Sequence, residues 1–354
     1  MMDRLDLVKQ GLRMLVGQLR KEDRISIVTY AGSAGLVLPP TSGSKKDDIL
    51  QALGNLQAGG STAGGEGINL AYKVAADNFI KKGNNRVILA TDGDFNVGVT
   101  SDGELTRLIE EKREHGVFLT VLGVGTGNVQ DSKMESLADK GNGNYAYLDD
   151  VMEAQKVLVK EMGATLLTIA KDVKIQVEFN PSRVSSYKLL GYENRMLAAE
   201  DFNNDKKDAG ELGAGGTVTA LYEIVPAGVK DDTLPSVDPL KYRKAAAPEP
   251  SADGKELLTV KFRYKKPAET ASRLITRPLL DEERAWSQAS PDLKFAASVA
   301  GFGMMLRHSS TKGNLTYDKV RDMAREGLGK DEDGYRAEMV RLVAKAKLLD
   351  QKER

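Results

Sequence analysis

The fold is decided by one apolar run that ends in acidic residues, Arg86-Val-Ile-Leu-Ala-Thr91-Asp92-Gly93-Asp94. A strand that is apolar at consecutive positions is covered on both faces, which is typical of a parallel sheet between helices. A second such run, Val117-Phe-Leu-Thr-Val-Leu122, follows a segment of helical spacing that ends at Gly116. The two runs therefore predict neighbouring parallel strands joined by a helix.

The segments around these runs continue the alternation of helix and strand. The other elements predicted in this half are a helix at 5–19, strands at 24–30 and 34–38, helices at 47–56 and 68–79, a helix at 134–138, a strand at 145–148 and a helix at 151–167. Pro39-Pro40 is expected to end the strand before it. The pattern predicts an α/β fold for residues 1–165, with a doubly wound, mainly parallel sheet of the Rossmann-like kind.

The second half has a different pattern. Residues 171–179 alternate with period two, which indicates a half-exposed strand. Further strands are predicted at 186–192, 217–224, 257–264 and 274–276, and helical spacing returns from Ser290. We therefore predict a C-terminal domain over 166–354, with an antiparallel β-rich part (166–289) and a helical tail (290–354).

Composition narrows the classes of function. Lys plus Arg number 51 and Asp plus Glu number 51, so the formal net charge is zero, which argues against binding nucleic acid by bulk electrostatics. The absence of cysteine excludes disulfides, thiolate metal sites and a cysteine nucleophile. The two histidines, His115 and His308, are predicted to lie at helix ends. The sequence contains no run of about 18 apolar residues, so it does not predict a membrane span.

Oxygen donors lie in two loops at the expected ligand edge of the sheet. Thr62 lies in Gly59-Gly-Ser-Thr-Ala-Gly-Gly65, and Asp92 directly follows the first apolar run. Ligands of doubly wound sheets bind beyond the carboxyl ends of the strands. Hydroxyl and carboxylate oxygens suit Mg²⁺, Mn²⁺ or Ca²⁺. Both stretches are also ordinary turn sequences, so the residues alone leave a metal site and a pair of turns open.

These motifs resemble a known family. Gly60-Ser61-Thr62 and Thr91-Asp92-Gly93 are similar to the second and third metal-binding motifs of von Willebrand factor type A (vWA) domains. The second half resembles the bacterial YfbK-like proteins, which pair a vWA domain with a C-terminal domain of unknown function. The segments that carry this likeness are Ala170-Lys-Asp-Val-Lys-Ile-Gln-Val-Glu-Phe-Asn-Pro181, Leu190-Gly-Tyr-Glu-Asn-Arg195 and Glu200-Asp-Phe-Asn-Asn-Asp205.

The resemblance implies a non-enzymatic, adhesion-type module that binds a protein partner. In this family a metal-ion-dependent adhesion site holds Mg²⁺ through an Asp-x-Ser-x-Ser motif, a threonine and an aspartate. Thr62 and Asp92 match the last two, and the possible supporting loop residues are Gly60, Ser61, Gly93 and Asp94. A carboxylate of the partner is expected to complete the coordination of the ion. The resemblance also suggests a bacterial cell-envelope or secreted location.

The sequence departs from the family at the Asp-x-Ser-x-Ser motif, which is not present. In the family this motif ends the central strand, just before the helix that begins here near Asp3. We therefore expect an N-terminally truncated vWA domain whose first central strand is missing, between the strands at 25–30 and 87–91. Its signal sequence is expected to be lost with that strand, and Mg²⁺ binding is expected to be weak or absent.

Two other functions stay open. Some bacterial vWA proteins act as adaptors for MoxR-type ATPases during the maturation of other complexes. An enzyme is the third reading, because Asp92-Gly-Asp94 resembles the start of haloacid-dehalogenase-type phosphatases, with Asp92 as nucleophile and Asp94 as acid/base. Asp149-Asp150 would then act as the later magnesium pair. The position of the motif after three predicted helices is atypical of such phosphatases.

Overall fold

The computed structural model describes residues 4–30, 35–59, 64–81, 83–92, 102–125, 130–191, 196–207, 209–229, 254–267 and 269–350. Contacts divide the chain into two compact units. Unit 1 comprises Met1–Lys174, Asn204–Thr217 and Arg263–Arg273, and unit 2 comprises Ile175–Asn203, Val218–Phe262 and Leu274–Arg354. Each unit consists of three separate segments of the chain, so this division does not test a single boundary. The predicted domain boundary at 165/166 therefore stays a prediction.

The first half alternates helices and strands as predicted. Its elements are α1 (Arg4–Gln18), β1 (Arg24–Thr29), β2 (Gly35–Ser42), α2 (Lys46–Gly54), α3 (Gly64–Asp77), β3 (Asn85–Thr91), α4 (Asp102–Glu114), β4 (Val117–Val124), α5 (Asp131–Lys140), β5 (Tyr145–Leu148), α6 (Val151–Gln155) and α7 (Met162–Leu166). β3, β4 and β5 form a parallel sheet in that order. This confirms the predicted α/β fold class.

The two faces of this sheet are buried under different helices. On one face, Leu89 and Leu119 belong to a core cluster with residues of α3, α4 and α5. On the other face, Leu122 and Leu148 belong to a cluster with residues of α1 and α6. Leu119, Leu122 and Leu148 are fully buried. This two-sided cover explains why β3 and β4 are apolar at consecutive positions.

β1 and β2 form a separate antiparallel ladder. Within the described residues, no ladder joins β1 to β3, so the sheet is interrupted at the predicted position of the central strand. The prediction that Pro39-Pro40 ends the second strand is wrong, because β2 continues to Ser42. The register shifts between the pairs Ile25–Thr41 and Ile27–Leu38, and this irregularity accommodates the two prolines.

The predicted long helix at 151–167 is interrupted. A single π-helical turn, Lys156–Lys160, separates α6 from α7. Such a turn inserts one extra residue, and here it carries the buried side chains of Val157 and Leu158. At Gly11 of α1, an added Cβ would lie 3.0 Å from Leu158 Cδ1, so α1 crosses this region closely.

The second half contains the predicted strands and three helices. Its elements are β6 (Thr168–Phe179), β7 (Val184–Leu190), β8 (Gly210–Gly213), β9 (Leu221–Pro226), β10 (Glu256–Lys265), β11 (Arg273–Leu280), α8 (Pro291–Leu306), α9 (Tyr317–Glu326) and α10 (Tyr335–Asp350). One sheet has the order β11-β10-β6-β8, and β7 pairs antiparallel with β9. Ser290 and Thr316 cap α8 and α9 with their hydroxyl oxygens. None of the helices in the described ranges is long and apolar enough to cross a membrane.

Tyr72 of α3 has a buried hydroxyl that has no hydrogen-bond partner in the described part of the chain. Burial raises the pKa of this phenol, so the group stays neutral. An unsatisfied buried polar group costs about 1–3 kcal/mol. We therefore expect Tyr72→Phe to stabilise unit 1 by roughly 1 kcal/mol, as measured by urea unfolding. Tyr187→Phe, at an exposed ring, is the control. Destabilisation by Tyr72→Phe would contradict the prediction.

Candidate functional site

The structure describes only part of the predicted site. Thr62 lies outside the described residues, and so do the predicted supporting residues Gly60, Ser61, Gly93 and Asp94. Asp92 is described and lies directly after β3, at the carboxyl end of the parallel sheet. Its location agrees with the edge at which doubly wound sheets bind ligands. Its role as a metal ligand stays a prediction.

The Asp92 carboxylate forms an ion pair with Arg4. The distance between Asp92 Oδ2 and Arg4 Nη1 is 2.8 Å, and Nη1 donates a hydrogen bond to this oxygen. The Asp92 side chain is 38% exposed and the Arg4 side chain is 47% exposed. The pair is therefore accessible to solvent, and exposed pairs of this kind are weak, about 0.2–1 kcal/mol.

Arg4 is placed at this edge by α1 and by a glycine after β4. Gly125 directly follows β4 with φ +95°, a conformation that favours glycine. A Cβ on Gly125 would lie 2.6 Å from Arg4 Nε, so only a residue without a side chain leaves room for the guanidinium. The carbonyl of Gly125 accepts a hydrogen bond from the Tyr147 hydroxyl, which fixes this turn. The Arg4 side chain thus contacts residues at the ends of two adjacent parallel strands.

Sequence reasoning did not find Arg4, although a weak signal exists. Arg4 lies in the first turn of α1, where the positive end of the helix dipole disfavours a basic side chain. An arginine at such a position is stabilised when its side chain pairs with a carboxylate from another part of the fold. The sequence separation of 88 residues between Arg4 and Asp92 hides that partner until the fold is known.

Tyr30 contacts the same edge from the end of β1. Its hydroxyl donates a hydrogen bond to the carbonyl oxygen of Ala90 in β3, at 2.5 Å. Burial raises the pKa of Tyr30; a hydrogen bond with Thr91 opposes this shift, and the nearby Asp92 charge adds to it. A Cβ on Gly67 of α3 would lie 2.4 Å from Tyr30 Cβ, so α3 packs closely against this residue. Tyr30 therefore connects the β1–β2 ladder to β3, the strand directly before Asp92.

A divalent cation can bind the Asp92 oxygen only after the Arg4 guanidinium has moved away from it. Asp92 supplies a hard, part-exposed carboxylate oxygen of the kind that Mg²⁺ and Ca²⁺ prefer. In the described ranges, no group of three or more acidic, histidine or cysteine side chains is arranged to hold a metal ion. The described residues therefore supply one carboxylate for a metal ion, and the Arg4 guanidinium pairs with that carboxylate in the structure.

Asp150, one of the aspartates proposed for a phosphatase, has a structural role. Asp150 is the N-cap of α6, and its Oδ1 accepts a hydrogen bond from the backbone of Glu153 at 2.9 Å. Asp94 lies outside the described residues. His115, in turn, is exposed, and its Nδ1 lies 2.7 Å from the carbonyl oxygen of Glu111 within its own helix turn.

The fold and the family profiles together define a vWA-domain protein. Residues 2–160 match the von Willebrand factor type A domain, and residues 164–349 match the family described as "Uncharacterized protein YfbK, C-terminal". The chain therefore belongs to the YfbK-like family of vWA proteins, which confirms the resemblance seen in the sequence.

Proteins similar to the chain include two sequence relatives and a solved structure. The chain is 45% identical to the uncharacterised protein YfbK of Escherichia coli over 341 residues, which is 96% of this chain and 58% of YfbK. It is 27% identical to an uncharacterised protein of Synechocystis over 154 residues, 42% of this chain and 35% of that protein. A solved structure, a von Willebrand factor type A protein from Catenulispora acidiphila, is 15% identical and has a TM-score of 0.44, covering 92% of this chain and 76% of that one. The chain thus spans 58% or less of the length of these two sequence relatives.

Proposed function

We propose that the chain is a non-enzymatic protein-binding module whose partner contacts the sheet edge at Asp92. The observation that carries the proposal is the part-exposed Asp92 carboxylate at the carboxyl end of β3. In the structure this carboxylate forms an ion pair with the Arg4 side chain. Membership of the vWA family supports protein binding as the general role. Charged groups at such an edge select a partner by complementary charge.

In this proposal the edge is a metal-ion-dependent adhesion site. Asp92 and Thr62 are the residues that would hold Mg²⁺, or alternatively Mn²⁺ or Ca²⁺. A hard cation with few protein carboxylate ligands supplies an electrophilic position that a partner's Asp or Glu side chain can fill. The protein's own task is to present the Asp92 oxygen to solvent and to keep the two loops at the same edge.

The proposal also places an Asp-x-Ser-x-Ser strand between β1 and β3. The break between the β1–β2 and β3–β4–β5 ladders supports this position. The Ala90 carbonyl, a backbone group at this side of β3, accepts a hydrogen bond from the Tyr30 side chain. A strand inserted there would bring the aspartate and serine oxygens of the motif to the same end of the sheet as Asp92.

We expect the present chain to bind Mg²⁺ weakly, because one described carboxylate is too little for an ion that gives up its water reluctantly. Fusing an Asp-x-Ser-x-Ser strand ahead of Arg4 should tighten binding at least tenfold, as measured by isothermal titration calorimetry. A fused Ala-x-Ala-x-Ala strand is the matched control. Tight Mg²⁺ binding by the present chain that Asp92→Asn does not weaken would show that the site is misplaced.

An envelope or secreted location and an adaptor role with an ATPase are further proposals that rest on the family resemblance. Copurification of an ATPase with the chain would favour the adaptor. Binding to envelope proteins would favour adhesion.

A further inference from the structure

The helix α8 is apolar on every side. Its residues from Phe295 to Leu306 include no charged side chain. A helix that is apolar all round is normally buried around its whole circumference. In the structure only Ser298, Gly301 and Met305 of α8 are buried. The helix therefore keeps apolar surface in contact with solvent.

The buried side of α8 packs inside the helical tail. A Cβ added at Gly301 would lie 3.0 Å from Leu315 Cδ2 and 3.3 Å from Val320 Cγ2, so this side faces α9 and the residues before it. The Ser298 hydroxyl donates a hydrogen bond to the carbonyl oxygen of Phe295 at 2.6 Å, so its polar group is satisfied within the helix. These contacts account for the side of α8 that contains its buried residues.

The opposite side of α8 exposes large apolar side chains. Val299 is 45% exposed and Leu306 is 52% exposed. Ala296 and Gly303 lie on the same side, because residues 296, 299, 303 and 306 follow one another at spacings of three and four. A Cβ on Gly303 would meet only the Arg307 side chain, at 3.8 Å. Gly303 therefore leaves room on this side for the close approach of another helix backbone.

Charges at the two ends of this side favour a second copy of the chain as its partner. Asp292 lies in the first turn of α8, and Arg307 directly follows the helix. In an antiparallel pair of α8 helices centred between Val299 and Ala300, Asp292 of each copy faces Arg307 of the other. Arg336 donates to Oδ1 of Asp292, and a carboxylate accepts further hydrogen bonds, just as a guanidinium has several donors. A parallel pair would instead bring like charges together.

We propose that the chain forms a homodimer through the exposed side of α8, with the two α8 helices antiparallel. Ala296 then lies opposite Gly303 of the second copy, where two small residues let the backbones approach each other. Such a two-fold contact is self-complementary, since each copy contributes the same surface. The proposal concerns unit 2 and does not depend on the Asp92 edge.

Sedimentation velocity of the full chain at about 100 µM tests the oligomeric state. We expect a dimer. Val299→Lys should weaken it at least about tenfold, because the interface would then bury an ammonium group. Leu342→Lys is the matched control, since Leu342 of α10 is also 45% exposed, and this variant should stay within about twofold of wild type. Circular dichroism melts show whether both variants fold.

Disulfide cross-linking tests the arrangement of the two helices. The chain has no cysteine, so single-cysteine variants report on one position at a time. A mixture of Ala296→Cys and Gly303→Cys chains should form a disulfide between the two variants on oxidation. Ala296→Cys alone should not, because its two copies would lie about 10 Å apart along the helix axes, whereas a disulfide needs Cα atoms within about 7 Å.

Three results would overturn the proposal. A monomer at the concentration tested would leave this side of α8 to another protein or to a lipid surface. A dimer that survives Val299→Lys, or that Leu342→Lys weakens equally, would have its interface elsewhere. Efficient cross-linking of Ala296→Cys alone would contradict the antiparallel arrangement.

Discussion

Replacement of Gly143 by alanine is expected to destabilise unit 1 by about 3 kcal/mol or more. A Cβ at Gly143 would lie 1.6 Å from the carbonyl oxygen of Leu119. This oxygen is a backbone atom of β4, the middle strand of the β3–β4–β5 sheet. Neither backbone is free to move, because Leu119 donates its N–H to Gly141 at 2.9 Å and Gly143 donates its N–H to Ala138 at 3.0 Å. Relief of the clash would therefore break hydrogen bonds at the centre of the sheet.

Urea unfolding followed by circular dichroism measures this effect. Gly17→Ala is the matched control, since a Cβ there would meet no atom within 4 Å and Gly17 lies within α1. That change should stabilise the protein by about 0.5–1 kcal/mol, because alanine is the better helix former. A Gly143→Ala variant within about 1 kcal/mol of wild type would show that the turn before β5 packs less closely than the structure has it.

Loss of partner binding in Asp92→Asn is the second large effect we expect, at least tenfold, in the chain completed by the fused Asp-x-Ser-x-Ser strand. Asparagine keeps the size of the side chain and removes its charge, so it can hold neither a divalent cation nor Arg4 strongly. The fold should persist, because an exposed ion pair contributes only about 0.2–1 kcal/mol. Thr62→Ala should also abolish binding, because the hydroxyl is the other proposed ligand. Thermal melts of both variants separate lost binding from lost folding.

Much of the parallel sheet was predictable because its pattern has one physical cause. β3 and β4 are covered on both faces, so the run Val87–Ala90 of β3 and most of β4 are apolar and the strands stand out from the helices around them. β5 also lies at its predicted residues, 145–148. The fold class follows from the order of these elements, since parallel neighbours require a crossover helix.

The errors arose where tertiary contacts outweighed local signals. The two prolines do not end β2, because its ladder with β1 is irregular at that point and tolerates residues without an N–H. β8 was not predicted, since Gly210–Gly213 contains two glycines and has almost no strand propensity. It forms because β6 provides a ladder for it. The π-helical turn at 156–160 likewise has no local signal.

The position of Asp92 in the fold was predictable, and its contacts were not. The end of an apolar parallel strand locates Asp92 at the ligand edge by topology alone. The Arg4–Asp92 pair depends on where α1 begins relative to β3 and on the space left by Gly125. Such long-range geometry leaves no trace in spacing or composition.

We propose that a protein partner binds the Asp92 edge through a divalent cation. The most direct measurement is capture of bacterial envelope proteins on the immobilised chain that carries the fused Asp-x-Ser-x-Ser strand, in saturating Mg²⁺ and in chelator, quantified by mass spectrometry. Asp77→Asn, at an exposed aspartate of α3, is the matched control for Asp92→Asn. We expect a protein that is captured in Mg²⁺ by this completed chain and by its Asp77→Asn variant, released by chelator and not captured by the Asp92→Asn variant. Capture that is equal in chelator and in Asp92→Asn would contradict it and place recognition outside this edge.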